Sequence, residues 1–362
     1  MKNLKIFRNS RVIVTGHTGF KGSWLTAWLK QLGAKVMGIS LDPPTYPSHF
    51  EASKINLNIK DVRLDIRDGV KLEKKVTAFK PNFVFHLAAQ SLVGLSYKNP
   101  TTTWQTNVFG TLNILESIRK LKNVCNVVII TSDKCYFNRE IHYGYKETDI
   151  LGGKDPYSGS KASAELLVKS YISSFFLSDK SKIRIATARA GNVIGGGDWA
   201  NNRIIPDWIR FWSKNKKAEL RNPNATRPWQ HVLESVGGYL CLAINLSFKK
   251  HLHGEAFNFG PNLSREYSVL ELVKTMGVYW KNISWKVMPK SRKKFYESEL
   301  LRLNCNKAKK ILKWKNILKF SETVEMVASW YRSYYDHPNH IDKITRKQIR
   351  EYEKLLKKRL IK

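Results

Sequence analysis

The stretch "RVIVTGHTGFKGSWL", residues 11 to 25, constrains the fold more than any other. An apolar run of strand character ends at Gly16, and an amphipathic helical pattern opens at Gly22. Between them Gly16, Gly19 and Gly22 recur at every third position. A dinucleotide needs this arrangement. The chain must turn tightly at the strand end, let backbone N–H groups approach a pyrophosphate, and aim a helix N-terminus at its charge. The same loop sets His17, Thr18, Phe20 and Lys21 beside such a cofactor. Asp42, after the next apolar run "KVMGIS", lies about 20 residues beyond Gly22. A carboxylate there accepts ribose hydroxyls and repels a 2′-phosphate, so the pattern favours NAD over NADP.

Strand and helix signals then alternate. "RVIVTG", "KVMGIS", "VRLDI", "PNFVFHLAA", "NVVIITS" and "IRIATARAGNVIG" read as strands. "GSWLTAWLKQLG", ending at Gly33, "VKLEKKVTAFK", "TTTWQTNVFGTLNILESIRKL" and the segment from Tyr157 to Ser174 read as helices. Short, continuously apolar strands separated by helices indicate a parallel sheet covered on both faces. This is an α/β, Rossmann-type doubly wound fold. We expect an NAD-binding domain over residues 1–192. Beyond it, "GGGDWANNRIIPDWI", "NPNATRPWQHV" and "SRKKFYESEL" are polar, Trp- and Arg-rich pieces. They indicate a smaller C-terminal substrate-binding lobe over 193–340, from which the chain returns to the first domain. Residues 341–362 are expected to form a basic helix, packed on the body or against another subunit.

With 362 residues and 42% hydrophobic content, the chain can bury a large core as one domain with a lobe or as two domains. A net charge of +34 fits a nucleic-acid or membrane-surface binder, or a lysine-rich solvated surface. The lysines are spread along the whole chain, which favours the second reading. Their field would also draw in an anionic, phosphate-bearing substrate. Cys125, Cys135, Cys241 and Cys305 form no CxxC pair, and no His/Cys cluster has zinc-ligand spacing. Neither a disulfide framework nor a metal site is expected. The N-terminus has no long apolar segment of signal-peptide type, and no run of about 18 apolar residues predicts a membrane helix. A cytoplasmic protein that binds neither membrane nor nucleic acid is expected.

Two further stretches carry chemistry. "DPYSGSK" puts Tyr157 and Lys161 at i, i+4, on one helix face. A Tyr hydroxyl has a pKa near 10 and is a poor base at neutral pH. A neighbouring ammonium is expected to lower it by stabilising the phenolate. "TSDKCYF" sets Ser132, Asp133 and Lys134 in a row after an apolar strand. By itself this triplet fits a surface turn, a salt bridge or a pair of proton carriers.

Together these motifs resemble the extended short-chain dehydrogenase/reductases. The resemblance is densest to the sugar-nucleotide 4,6-dehydratases, in the branch that acts on CDP-glucose. It rests on "GHTGFKGSWL", "SDKCY", "DPYSGSKASAEL", "ARAGNVIGGGDW", "RIIPD" and "RPWQHVLE", and runs from about Arg11 to Phe320. His17, Lys21 and the Asp-Lys pair match that branch, where other dehydratases carry Asp-Glu or a lone Glu. The resemblance implies an NAD-dependent lyase of deoxysugar biosynthesis, in lipopolysaccharide or capsule assembly, working as a homodimer or homotetramer. Asp65 and Ile66 would hold the adenine. Leu87, Ala88, Ala89 and Thr106 would line the cofactor, and Asn107 would support the structure. Lys161 would also hold the nicotinamide ribose.

It implies further that Tyr157 takes the O4 proton of glucose as C4 gives up hydride. Ser132 would hydrogen-bond the new ketone. One of Asp133 and Lys134 would remove the C5 proton and the other would protonate the departing 6-hydroxyl. On the substrate side, Gln90, Ser91, Asn192, Arg203, Arg227 and Arg302 are candidates, the arginines for phosphate oxygens. Trp229 reads as core. Competing expectations are a dehydratase or 4-epimerase for another nucleotide sugar, and a catalytically dead nucleotide-binding protein with affinity for nucleic acid.

Overall fold

The computed structural model describes residues 3–141, 143–178, 181–261, 266–280, 283–288 and 300–360. "SRKKFYESEL", apart from its last residue, lies outside the described residues. Strands β1 (Arg11–Thr15), β2 (Lys35–Ser40), β3 (Lys60–Arg63), β4 (Phe83–His86), β5 (Cys125–Ile130), β6 (Ile183–Ala190) and β7 (Ala256–Phe259) form the central sheet. Its order is β3-β2-β1-β4-β5-β6-β7, with every pairing parallel. The strand order reverses between β1 and β4, where doubly wound sheets open a crevice at their carboxyl ends.

Strand alternation divides the core between the two faces. Val12 and Val14 of β1 and Phe83 and Phe85 of β4 pack with Trp24, Leu25 and Trp28 of helix α1 (Phe20–Gln31). Ile13, Met37, Ile39 and Val84 pack on the other side. They meet Leu72 and Val76 of α2 (Gly69–Phe79) and Ile114 and Ile118 of α3 (Gly110–Arg119). The expected long helix over 101–121 is interrupted. Pro100–Trp104 leads into a single π-helical turn, Gln105–Phe109, before α3 begins. Helix α4 (Pro156–Tyr171) starts on an Asp155 cap with Pro156 at its first position, a favoured opening pair.

The third strand departs from the expected "VRLDI". It covers Lys60–Arg63, and Leu64 makes one last bond to Ser40 O. Strand β2 ends there, so the chain has no further partner and turns. Arg67 N donates to Asp65 Oδ1 at 2.9 Å.

Much of the stretch beyond residue 192 builds the sheet layers. Helix α5 (Val232–Phe248) lies on α1 and on strands β5 and β6, and β7 pairs with β6. The remainder supplies two small pairings. Ala218–Leu220 runs parallel to Trp285–Val287, and Thr226–Arg227 runs antiparallel to Tyr267–Ser268. Helices α6 (Phe320–Asp336) and α7 (Ile341–Leu360) close the fold. The basic α7 packs on the body of its own chain. Ile341, Ile349 and Tyr352 are fully buried, worth about 1.5–3 kcal/mol each. Trp28 Nε1 donates to Glu353 Oε1 at 2.7 Å, and Tyr352 Oη to Glu234 Oε2 at 2.7 Å. Arg359 forks onto Glu322 at 2.6 and 2.8 Å.

Candidate active site

The glycine loop closes on backbone alone. Gly16 has φ +74°, and a Cβ there would lie 2.7 Å from Ala88 N. A Cβ on Gly22 would lie 2.0 Å from Gly16 O, so α1 can approach the loop only because Gly22 has no side chain. Gly19 caps α1 without a side-chain acceptor, so no capping side chain takes up the first-turn N–H groups that an anion would use. Thr18 Oγ1 donates to Leu41 O at 3.0 Å and ties the loop to the end of β2. Asp42 follows there, its side chain 89% exposed and 3.7 Å from Arg63 Nε. These features fit a dinucleotide pyrophosphate with a ribose toward Asp42.

His17 contributes to the loop through its backbone. Its ring is fully buried, with Nε2 2.9 Å from Asp61 Oδ1 and an edge against Phe50. Burial lowers its pKa despite Asp61. A Cβ at Gly38 would fall 2.2 Å from that ring, so the mid-strand glycine of "KVMGIS" makes room for His17. Asp65 is held by Arg67 at 2.6 Å, which lowers its pKa, and Ile66 is buried against Gly110. Leu87 and Ala88 sit at the mouth of β4, with Ala88 N donating to Thr15 Oγ1 at 3.2 Å, and Ala89 follows, half-buried. The wide turn that carries Thr106 directs Asn107 inward. Asn107 Nδ2 donates to Gln90 O at 3.0 Å and to Ser160 Oγ at 2.9 Å, linking the β4 loop to α4. Gln90 spends its own amide on Leu92 O and Thr103 Oγ1. Ser91 is exposed.

Strand β5 delivers Ser132, Asp133 and Lys134 to the same mouth. Ser132 caps the short turn Asp133–Cys135. Its Oγ accepts from Lys134 N at 3.2 Å and donates to Asp133 Oδ1 at 2.9 Å. Tyr157 stands on the first turn of α4, which packs against this turn. Ser132, Asp133, Tyr157 and Lys161 are all buried, and Lys134 is half-buried. The ionisation of Tyr157 corrects the expectation. Burial outweighs its neighbours and pushes it up to about 12, with Ser132 and then Arg203 pulling it down. Lys161 is itself lowered to about 8 by burial, and Cys135 and Glu165 favour its charged form. A desolvated lysine is a weaker source of positive field than an exposed one. Asp133 is raised by burial, against the pull of Lys134, Ser132 and Lys21.

Lys21 is the residue whose place was least legible. Its Nζ donates to Gly191 O at 3.3 Å, across 170 residues of chain. A Cβ on Gly191 would meet Asp133 Oδ2 at 3.0 Å, so the ammonium and the carboxylate flank the same glycine. Burial lowers Lys21 to about 8, against the attraction of Asp133. Below the site lies a buried ion pair that motif reading missed. Glu165 of α4 receives Arg189 Nε at 3.0 Å and Arg189 Nη2 at 2.8 Å, with Thr187 Oγ1 at 2.9 Å. Arg189 also donates to Tyr136 Oη at 2.8 Å. The pair binds α4 to β6 and so fixes Tyr157 and Lys161 against Ser132.

The substrate-side candidates are less concentrated. Asn192 is exposed, directly after Gly191. Arg203 reaches Asp198 Oδ2 at 2.8 Å and acts electrostatically on Tyr157 and Lys21. Arg227 is half-buried on its short strand. Arg302 is paired with Glu266 at 2.7 Å, so a phosphate there would compete with a carboxylate. Trp229 packs on the core, with Nε1 donating to Tyr267 O at 2.8 Å. Among the described residues no His/Cys/Asp/Glu group could hold a metal, and all four cysteines are free and buried. No described helix is long and apolar enough to cross a membrane.

The sequence profile of the GDP-mannose 4,6 dehydratase family matches residues 13–327. The chain belongs to the GDP-mannose 4,6 dehydratase family. Within that family it is 43% identical over 338 residues to a CDP-glucose 4,6-dehydratase of Salmonella typhimurium, covering 92% of this chain and 94% of that one. The fold is that of solved relatives. An epimerase from Methanothermobacter thermautotrophicus superposes with a TM-score of 0.79 at 24% identity, over 93% of this chain and 96% of the other. The dTDP-glucose 4,6-dehydratase of Bacillus anthracis in complex with NAD gives 0.71 at 22% identity, over 90% and 97%. Ser132, Asp133 and Lys134 follow the carboxyl end of β5, the strand next to β4, and pack against the helix that carries Tyr157.

Proposed function

We propose that this chain dehydrates CDP-D-glucose to CDP-4-keto-6-deoxy-D-glucose, regenerating NAD in each turnover. The observation that carries the reading is an acid–base pair, Asp133 and Lys134, on a Ser132-capped turn that packs against the helix carrying Tyr157 and Lys161. The 43% identity to a CDP-glucose 4,6-dehydratase supports the choice of nucleotide. NAD, when bound, accepts the C4 hydride and returns it to C6. Gly16, Gly19 and Gly22 would hold its pyrophosphate, Asp42 a ribose, and Asp65 and Ile66 the adenine side.

The residues of the chain then handle protons and charge. Tyr157 as phenolate removes the O4 proton. The new ketone acidifies C5–H. Lys134, half-buried beside the carboxylate, takes that proton. Asp133, raised by burial, gives its own proton to the departing 6-hydroxyl. Arg203, Arg227 and Asn192 face the diphosphate in this reading, with Arg302 added if Glu266 releases it. The reading includes a substrate-binding lobe built from parts of 193–340, a cytoplasmic location, and a homodimer or homotetramer, which sedimentation measures.

The test incubates pure protein and NAD with CDP-, dTDP-, GDP- and UDP-hexoses and follows product mass and base-induced keto-sugar absorbance. Loss of one water from CDP-glucose alone supports the reading. An unchanged mass with inverted C4 would make it an epimerase, and turnover of another nucleotide alone would replace the substrate. Inertness toward all four would end the assignment.

A further inference from the structure

His86, the last residue of β4, is a buried titratable side chain that the proton steps above leave unused. Its ring joins two threonines. Nδ1 lies 2.8 Å from Thr15 Oγ1 of β1, and Nε2 lies 3.1 Å from Thr111 Oγ1 of α3. A hydroxyl has one proton to give and two lone pairs to receive with, and a neutral imidazole has one donor nitrogen and one acceptor. The neighbours decide which is which. Thr111 Oγ1 donates to Asn107 O at 2.7 Å, and a carbonyl can only accept. The Thr111 proton is therefore committed, and His86 must present its N–H at Nε2. Nδ1 is then bare in the neutral ring, and the Thr15 hydroxyl donates to it. Thr15 Oγ1 in turn accepts from Ala88 N at 3.2 Å.

We propose that His86 is a positioning residue: as a neutral imidazole protonated at Nε2, it locks the glycine loop to the helix that carries Tyr157. The hydrogen bonds run one way. Ala88 N–H donates to Thr15, Thr15 to His86, His86 to Thr111, and Thr111 to Asn107 O. Asn107 carries the chain on through its side chain. Its Oδ1 accepts from Gln90 N at 2.8 Å, which fixes the order of the amide, and its Nδ2 donates to Ser160 Oγ at 2.9 Å. Ser160 Oγ donates to Tyr157 O at 2.7 Å. At the head of the chain, a Cβ on Gly16 would lie 2.7 Å from Ala88 N, so holding that amide holds the turn of the loop. At its tail, Ser160 adjoins Lys161 on α4, one turn from Tyr157.

The chain holds only while the ring is neutral. A second proton, on Nδ1, would meet a Thr15 oxygen that already receives Ala88 N–H, and would turn the Thr15 hydroxyl away. Burial, and after it the charge of Lys161, oppose that proton and lower the ring to about 3. Thr15, His86, Thr111, Asn107 and Ser160 are all buried, so each lost partner would leave a polar group unsatisfied. The functional half of the proposal rests on the dehydration reading, in which Tyr157 must meet substrate and cofactor together. A misplacement of about 1 Å there can cost about 10²-fold in rate.

The test has two arms. In the first, the holoenzyme with isotope-labelled histidine ring nitrogens is followed by NMR from about pH 5 to about pH 8, the range in which a free imidazole titrates. The His86 signal is the one missing from His86→Phe or, if that variant does not fold, the one shifted by Thr111→Val. A bare Nδ1 and a protonated Nε2 are expected throughout. A proton on Nδ1, alone or together with Nε2, overturns the chain. The second arm measures kcat and KM for CDP-glucose. His86→Phe fills the space without a hydrogen bond and should lower kcat by about 10–10²-fold with KM nearly unchanged. His86→Gln keeps an amide N–H toward Thr111 and should recover most of that loss. Thr111→Val cuts the same link from the other side and should lower kcat likewise, which decides the arm if neither His86 variant folds. A wild-type kcat in His86→Phe or Thr111→Val, or equal losses in His86→Phe and His86→Gln, overturns the positioning role. A wild-type enzyme inert on CDP-glucose would instead overturn the dehydration reading, while the ring signal still decides the chain.

Discussion

In the proposed dehydration Tyr157 loses a proton in a place where burial has pushed its pKa up to about 12. Few phenolates exist there at neutral pH, so the site must gain charge from what binds beside it. Replacing Tyr157 by Phe should lower turnover by about 10²–10⁴-fold and leave no NADH signal on substrate addition, by stopped-flow absorbance. Lys21 presents the opposite problem. Its ammonium is buried, and its pKa is lowered to about 8 from 10.5. A lysine depressed in the folded state adds stability above its unfolded pKa and loses it as pH falls through the folded one. Lys21→Met should therefore melt higher than wild type at pH 7, by the equivalent of about 1–3 kcal/mol, with the gain fading between about pH 8 and 10.5. Its dehydration rate should fall, because Asp133 loses a cation. Tyr157, Lys161 and the Ser-Asp-Lys row were legible because each is a local pattern on one element. Lys21 beside Asp133, and Glu165 on Arg189, were not, because those partners meet only through the sheet.

At the level of elements, the strands were legible from their apolar runs, but their ends were not. The third strand stops where β2 stops, a fact about the neighbour rather than about "VRLDI". The π turn at Gln105–Phe109 left no mark in a helical pattern, yet it aims Asn107 at Gln90. The last helix was legible as a helix, and its docking was not. That docking runs through Glu234 of α5, which accepts Ile317 N at 2.7 Å and Leu318 N at 2.6 Å, with Tyr352 Oη on its other oxygen. Burial raises Glu234 from 4.5 to about 7. A carboxyl raised in the folded state contributes stability that is complete below its unfolded pKa and lost as pH rises through the folded value. The melting temperature should thus decline across roughly pH 4.5 to 7 from this group. Glu234→Gln, which keeps an acceptor for both N–H groups, should flatten that decline when melting is followed by circular dichroism.

Across the whole molecule, the charge of +34 is spread along the chain, and pairs such as Arg332–Asp336 and Lys347–Glu351 lie exposed to solvent. Such a field acts on encounter more than on stability. If the substrate is a nucleoside diphosphate sugar, kcat/KM should fall several-fold as the Debye length shrinks from about 30 Å to about 10 Å between 0.01 and 0.1 M salt. The turnover number at saturation should stay nearly constant, and steady-state kinetics at a series of salt concentrations checks both. The bond from Trp28 to Glu353 spans 325 residues, and β7 reaches β6 only after α5 has crossed the sheet. A chain closed by contacts so distant in sequence folds late and as a unit, because the loop entropy is spent before the contacts form. An expressed piece ending at residue 192 would keep every glycine of the cofactor loop and still lack α5, β7 and α7. Its open β6 edge and bare Trp28 would seek other chains, so such a piece should aggregate rather than bind nucleotide.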